Sequence, residues 1–284
     1  MKKKWLRIST IIFLLIATII LINYLFSYGS VQETWENEFI GYEQIHSVVN
    51  GENQKIAIID SGISEYQIGN LDKNINLIDG EEPYDVNGHG TMMFSLIKGS
   101  KSAVGICPMC EILSIKVMNT DESIKPNVIS EAIEQAIDQN VSVISLSLGS
   151  YFENDVVKYS LDRAIKENIV IIASSGDYGT TEMLFPANMD KVISVGAINN
   201  QGEIWTETNA KDQVDINAPG VDVTVSGVGN EEFLSTGTSQ SSAIIAGYVA
   251  LMKEKDPTIS IEEIKEILND INDNKTDYRD FFLG

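Results

Sequence analysis

The 284-residue sequence is 43% hydrophobic and 8% aromatic, and carries 20 basic against 41 acidic side chains, a formal charge of −21. That much apolar material can bury one large core, which sets disorder and repeat arrays aside. So acidic a surface excludes nucleic acid as a partner; it serves solubility, and would also steer cationic peptides toward any cleft that it lines.

The chain opens on a basic head at 1–7, with Lys2, Lys3, Lys4 and Arg7 and no acid. Residues 8–26 (ISTIIFLLIATIILINYLF) are almost wholly apolar. That run approaches the roughly 20 residues a helix needs to cross a bilayer, so 8–27 reads as one N-terminal transmembrane helix. The basic flank predicts the head in the cytoplasm and everything after it outside. Two readings stand, a retained single-pass anchor and a signal cleaved near Ser27-Tyr-Gly29 to give a secreted protein; the anchor is preferred, because the run exceeds the usual 7–15 residue signal core. Residues 28–53 are polar with scattered aromatics and read as an arm lying on the domain at 54–284.

Lys55-Ile-Ala-Ile-Ile59 is a β-branched run stopped by Asp60-Ser-Gly, as a buried strand ending in a loop would be. Further runs of strand length lie at 112–117, 141–148, 169–173 and 192–197. A helix is predicted over 127–139, where Ile129, Ile133, Ala136 and Ile137 fall on one face behind Pro126. Another runs over about 240–253, and a third starts at Ser260, whose spacing to Glu263 makes a capping box. Strands alternating with such helices predict an α/β fold, with a mostly parallel central sheet and helices on both faces. Ligands on such sheets bind at the carboxyl ends of strands, where Asp60 falls. The two cysteines, Cys107-Pro-Met-Cys110, predict a local disulfide or two inert thiols; they lack partners at metal-binding spacing.

Acyl transfer by serine needs a hydroxyl nucleophile, an imidazole base and a carboxylate that orients the imidazole. Histidine occurs only at 46 and 89. His46 sits in the arm within Tyr42-Glu-Gln-Ile-His46, where a solvated or packing role is expected. His89 lies in Asn87-Gly-His-Gly-Thr91, small residues that let the backbone turn tightly and leave the ring open at the start of a helix over 92–97. Ser239 lies in Gly237-Thr-Ser-Gln-Ser-Ser242 just before the helix at 240, whose amides can stabilise negative charge.

Together, Ile58-Ile-Asp-Ser-Gly-Ile63, His89-Gly-Thr91 and Gly237-Thr-Ser239 resemble the subtilisin family of serine peptidases, in its chain order Asp, His, Ser. The resemblance extends to Ser147-Leu-Gly149, Ser175-Gly-Asp177, Phe185-Pro-Ala187 and Asn217-Ala-Pro-Gly220. It implies a three-layer subtilisin-like fold, a peptide or protein substrate, and no cofactor. It further implies catalysis by Asp60, His89 and Ser239, a substrate strand paired with Ser147, Leu148 and Gly149, and a cis bond at Phe185–Pro186. The family's oxyanion-hole asparagine falls at Asp177, and an ionised carboxylate has no proton to donate there. It would act only if protonated, giving activity skewed to low pH or a slow, selective enzyme. The alternative is a catalytically impaired scaffold that binds peptides.

Ala243 replaces a proline usual after the serine, Gln240 replaces a common methionine, and Gly99-Ser-Lys-Ser-Ala103 is too short and too poor in carboxylates for the family's calcium-binding insert. No metal is therefore expected. About thirty residues separate Val31 from Asp60, which matches the family's mature arm and implies folding without a prodomain. The acidic domain then suggests maturation of a secreted, cationic peptide, such as a bacteriocin or signalling precursor.

Overall fold

The computed structural model describes residues 33–284 apart from Ile68, Asn70, Ser102, Asp121 and Glu122. The expected basic head, the transmembrane helix and the start of the arm lie outside the described residues. Among the described residues no helix is long and apolar enough to cross a membrane.

The arm carries two short helices, α1 (Trp35–Ile40) and α2 (Tyr42–His46), turned against each other at Gly41, which adopts the left-handed conformation that glycine tolerates best. Side chains fasten it to the domain. Trp35 Nε1 donates to the Asp222 carbonyl, Asn37 Nδ2 to that of Val104, and His46 Nε2 lies 2.9 Å from the Ile106 carbonyl oxygen. Burial lowers the His46 pKa, as befits a neutral packing residue.

Seven strands form one sheet: β1 (Lys55–Asp60), β2 (Lys73–Asn76), β3 (Glu111–Lys116), β4 (Val143–Leu146), β5 (Val170–Ser174), β6 (Ile193–Ile198) and β7 (Ile216–Pro219). Their order is β2-β3-β1-β4-β5-β6-β7 and every pairing is parallel. A separate antiparallel hairpin pairs β8 (Val223–Ser226) with β9 (Glu232–Ser235). The helices of the domain are α3 (His89–Lys98), α4 (Pro126–Asp138), α5 (Asp155–Lys166), α6 (Thr238–Lys255), α7 (Ile261–Asn272) and α8 (Asp280–Leu283).

Alternation along the strands divides the core into two layers. Ile56, Ile58, Val170 and Ile172 meet α3, α6 and α7 on one face; Ala57, Ile59, Ile171 and Ala173 meet α4 and α5 on the other. Buried on both faces, β1 and β5 read as continuous apolar runs rather than alternating ones. Helix α6 is buried along nearly its whole length, from Thr238 to Lys253. Its small residues Ala243, Ala246, Gly247 and Ala250 allow that close packing, and a Cβ at Gly247 would run into Ile106. Ser260 caps α7 through the expected box, accepting from the Glu263 amide while the Glu263 carboxylate accepts from the Ser260 amide.

Two boundaries differ from expectation in ways that matter for the site. The run at 141–148 pairs only over Val143–Leu146, so 147–149 leave the ladder at its carboxyl end. Helix α6 begins at Thr238 rather than about 240, which brings Ser239 into its first turn.

Candidate active site

Because the chain runs from β1 to one side of the sheet through β2 and β3, and to the other through β4, the switch point lies between β1 and β4. Asp60 ends β1 and Ser147 follows β4, so the two border that crevice.

Asp60 is 2% exposed, and its Oδ1 accepts from the Ser61 amide at 2.7 Å. His89 Nδ1 lies 2.8 Å from Asp60 Oδ1 and 2.9 Å from Oδ2. The ring is held where its first helical turn meets the end of β1. The Gly90 amide donates to Ser61 Oγ, and a Cβ at Gly90 would run into the Gly62 carbonyl. Burial is the largest single influence on His89 and lowers its pKa; Asp60, then Asp85 and Asp177, outweigh it, and the net shift is upward from the ordinary 6.5.

Asp85 has no place in the sequence expectations. It is 4% exposed and accepts four hydrogen bonds at the start of α3: Oδ1 from the Asn87 and Gly88 amides at 3.0 and 2.9 Å, Oδ2 from the Thr91 amide and hydroxyl at 3.0 and 2.6 Å. The Gly88 and Thr91 amides are among the donors that a helix N-terminus leaves unpaired. Thr91 Oγ1 in turn accepts from the Ser64 amide. The signal in the sequence is an aspartate four residues before the histidine, in a turn rich in glycine and asparagine.

Ser239 enters the crevice from the first turn of α6, its Oγ 3.5 Å from the Ser147 carbonyl oxygen. Ser147 Oγ lies 3.1 Å from the Ser239 carbonyl oxygen, 2.9 Å from Ser242 Oγ and 3.3 Å from Sδ of Met93, one turn beyond His89 on α3. One hydroxyl thus ties together the end of β4, the helix bearing Ser239 and the helix bearing His89. Leu148 and Gly149 lie outside any ladder. Beside Leu148 opens a cavity of about 420 Å³ lined by Ile124, Ile129, Phe152, Val157 and Phe185 among others. A slightly larger cavity, about 480 Å³ between Phe39, Asn217 and Tyr278, is lined by none of these site residues.

Asp177 stands on the opposite rim and is exposed. Its Oδ1 accepts from the Thr238 amide at 2.9 Å and the Thr238 hydroxyl at 2.6 Å, while Thr238 Oγ1 accepts from the Gly176 amide at 3.2 Å. One oxygen of the carboxylate is therefore engaged as an acceptor on the residue next to Ser239. Buried Asn209 steadies the same loop, accepting from the Tyr178 and Thr180 amides. The Phe185–Pro186 bond is cis. Cys107 and Cys110 form a disulfide, on the far side of α3 from its His89 end, where the Cys107 amide donates to the Ile97 carbonyl.

A match to the Subtilase family covers residues 51–284. The thermostable alkaline protease of Halalkalibacterium halodurans is 27% identical over 240 residues, which is 83% of this chain and 66% of that protein. The minor extracellular protease Epr of Bacillus subtilis is 27% identical over 240 residues, 82% of this chain and 37% of that protein. Subtilisin E of the same species is 30% identical over 228 residues, 77% of this chain and 60% of that protein. The chain thus spans between about one third and two thirds of the length of these relatives.

Proposed function

From the premise that the chain belongs to the subtilase family of subtilisin-like serine proteases, we propose that it is a serine endopeptidase in which Asp60, His89 and Ser239 are the catalytic residues. The observation that carries the reading is His89 Nδ1 held between both oxygens of buried Asp60, on the helix that meets Ser239 through Ser147. With Nδ1 occupied by the carboxylate, Nε2 is the nitrogen left to take the proton of Ser239 as its Oγ attacks the scissile carbonyl. Asp60 stabilises the imidazolium so formed. His89 then gives that proton to the departing amine as the scissile C–N bond breaks, and water, deprotonated by the same imidazole, hydrolyses the resulting acyl-enzyme and returns the proton to Ser239 Oγ.

The oxyanion would bind at the N-terminus of α6, where the Ser239 amide is one of the four that have no intrahelical partner. Asp177 occupies the place of the second donor and, engaged with Thr238, contributes none while ionised. This makes the enzyme slow rather than inert. The substrate is an extended peptide that adds a strand along Ser147, Leu148 and Gly149, with an upstream apolar side chain in the cavity beside Leu148. The acidic surface favours cationic substrates, and residues 8–27 would hold the domain at the outer face of the cell membrane. The exposed carboxylate at Asp177 favours one second reading, a peptide-binding scaffold with impaired chemistry.

Reaction with an alkyl fluorophosphonate separates the two. Labelling at Ser239, lost in Ser239→Ala and in His89→Ala, is expected of the peptidase; no labelling of folded protein across a broad pH range leaves the scaffold.

A further inference from the structure

Two segments flank the nucleophile: 147–150 after β4, which would bind the substrate strand, and 175–177 after β5, which ends on Asp177. On the peptidase reading, the residue that supplies the scissile carbonyl lies with its carbonyl carbon at Ser239 Oγ. Its backbone then follows Leu148 and Gly149, and the alternation of side chains along such a strand turns its own toward the gap between those two segments. Gly149 and Gly176 face each other across it, neither with a side chain to fill it.

Leu184 fills it instead. A Cβ built on Gly149 would stand 2.9 Å from Leu184 Cβ and 3.0 Å from its Cδ1; one built on Gly176 would stand 2.8 Å from the same Cδ1. The isobutyl group is therefore wedged against both glycines, and the residue is only 6% exposed. It has no room to withdraw, because its backbone is tied to both walls. The Leu184 amide donates to the Ser175 carbonyl at 3.1 Å, and Phe185 exchanges hydrogen bonds with Ser150 in both directions, at 2.8 and 2.9 Å. The rings of Tyr151 and Tyr178, each the residue that follows one of these segments, lie 5.7 Å apart between centroids. Packed side chains do not yield volume cheaply, since inserting even a methylene into a filled site forces neighbours off their rotamers.

We infer that Leu184 is a specificity-determining residue that confines cleavage to bonds following a small side chain, glycine, alanine or serine. The proposal rests on the peptidase reading and adds to it the class of residue accepted at the cleaved bond. Together with the apolar cavity beside Leu148, it describes a selective processing site rather than one suited to general degradation.

The test uses the full 284-residue chain and a pair of peptides identical except for alanine or phenylalanine before the scissile bond, each also made as a phosphonate diester that reacts with Ser239 by loss of phenoxide. The alanine member should be favoured at least about 100-fold in kcat/KM and in labelling rate, the scale of discrimination set by pocket size. Leu184→Ala, checked for folding, should shrink that ratio at least tenfold by gaining on phenylalanine. Phenylalanine accepted as fast as alanine by the unaltered chain overturns the inference, leaves the peptidase reading standing, and needs no variant to fold. A folded chain that reacts with neither diester nor with the small fluorophosphonate overturns the peptidase reading, and the inference falls with it.

Discussion

Asp85 does for the backbone before His89 what Asp60 does for its ring. Four donors converge on its two oxygens, and two of them, the Thr91 amide and hydroxyl, meet the same Oδ2. An amide nitrogen placed there would face two donors, so Asp85→Asn should destabilise the fold by about 1–3 kcal/mol, read as a lower thermal midpoint, and reduce kcat by about tenfold or more. The charge has a separate signature. The imidazole must be neutral to act as a base, so a pKa held above 6.5 places the acidic limb of kcat/KM above pH 6.5, with activity rising as pH increases. Removing one of the carboxylates that raise it should move that limb to lower pH, an effect that merely loosened packing would not produce.

At the other rim, Asp177→Asn can keep the Oδ1 bonds from Thr238 and turn an N–H toward the oxyanion. It should raise kcat by about 10²-fold, a magnitude taken from a subtilisin itself. A rate unchanged or lowered would remove Asp177 from the oxyanion site. The segments that carry Asp60, His89 and Ser239, the proposed triad, could be singled out in the sequence because each is a contiguous motif. Asp85 and Leu184 were not, since their importance comes from what the fold brings to them: the Thr91 side of a helix start, and two glycines from different loops.

At the scale of elements, the strand ends set the site, and Lys116 secures one of them. It ends β3 directly beside Asp60 in register and is 1% exposed. Its ammonium donates to the Glu82 and Tyr84 carbonyls at 3.1 and 3.0 Å and meets the Glu81 carboxylate at 3.1 Å. That anchors the loop that delivers Asp85 and His89. Lys116→Met should leave two carbonyls without their donor and cost about 2–4 kcal/mol of stability by denaturant titration. An unchanged midpoint would deny the anchor. The disulfide lies at the opposite end of α3 and closes a loop of only four residues. Replacing both cysteines by alanine should therefore cost about 2 kcal/mol from loop entropy, with activity per folded molecule unchanged.

Strands β1, β3, β4, β5 and β6 announced themselves as apolar runs because both of their faces are covered. Strand β2 (Lys-Asn-Ile-Asn) and the β8–β9 hairpin did not, being short and partly exposed. Helix α5 was also missed. Its apolar face of Val157, Leu161 and Ala164 is narrow among charged residues, and only Asn154, capping through its side chain onto the Val156 and Val157 amides, marks its start.

For the whole molecule, charge is the dominant fact. Beyond residue 27 the chain holds 16 basic and 41 acidic side chains. A field of that sign should favour basic over acidic peptides of equal length, and the preference should fall as salt rises from 50 to 500 mM, because the Debye length shrinks across that range. Equal and salt-insensitive cleavage would leave the acidic surface a matter of solubility alone. Everything proposed for the site turns on Ser239, activated by His89, being the nucleophile. The most direct measurement is mass-spectrometric mapping of fluorophosphonate adducts on the folded full-length chain across pH 5–9, beside Ser239→Ala. One adduct is expected, on Ser239, forming faster as pH rises through the raised His89 pKa and absent from the variant. An adduct that persists in Ser239→Ala, or a wild type that forms none at any pH, would contradict it.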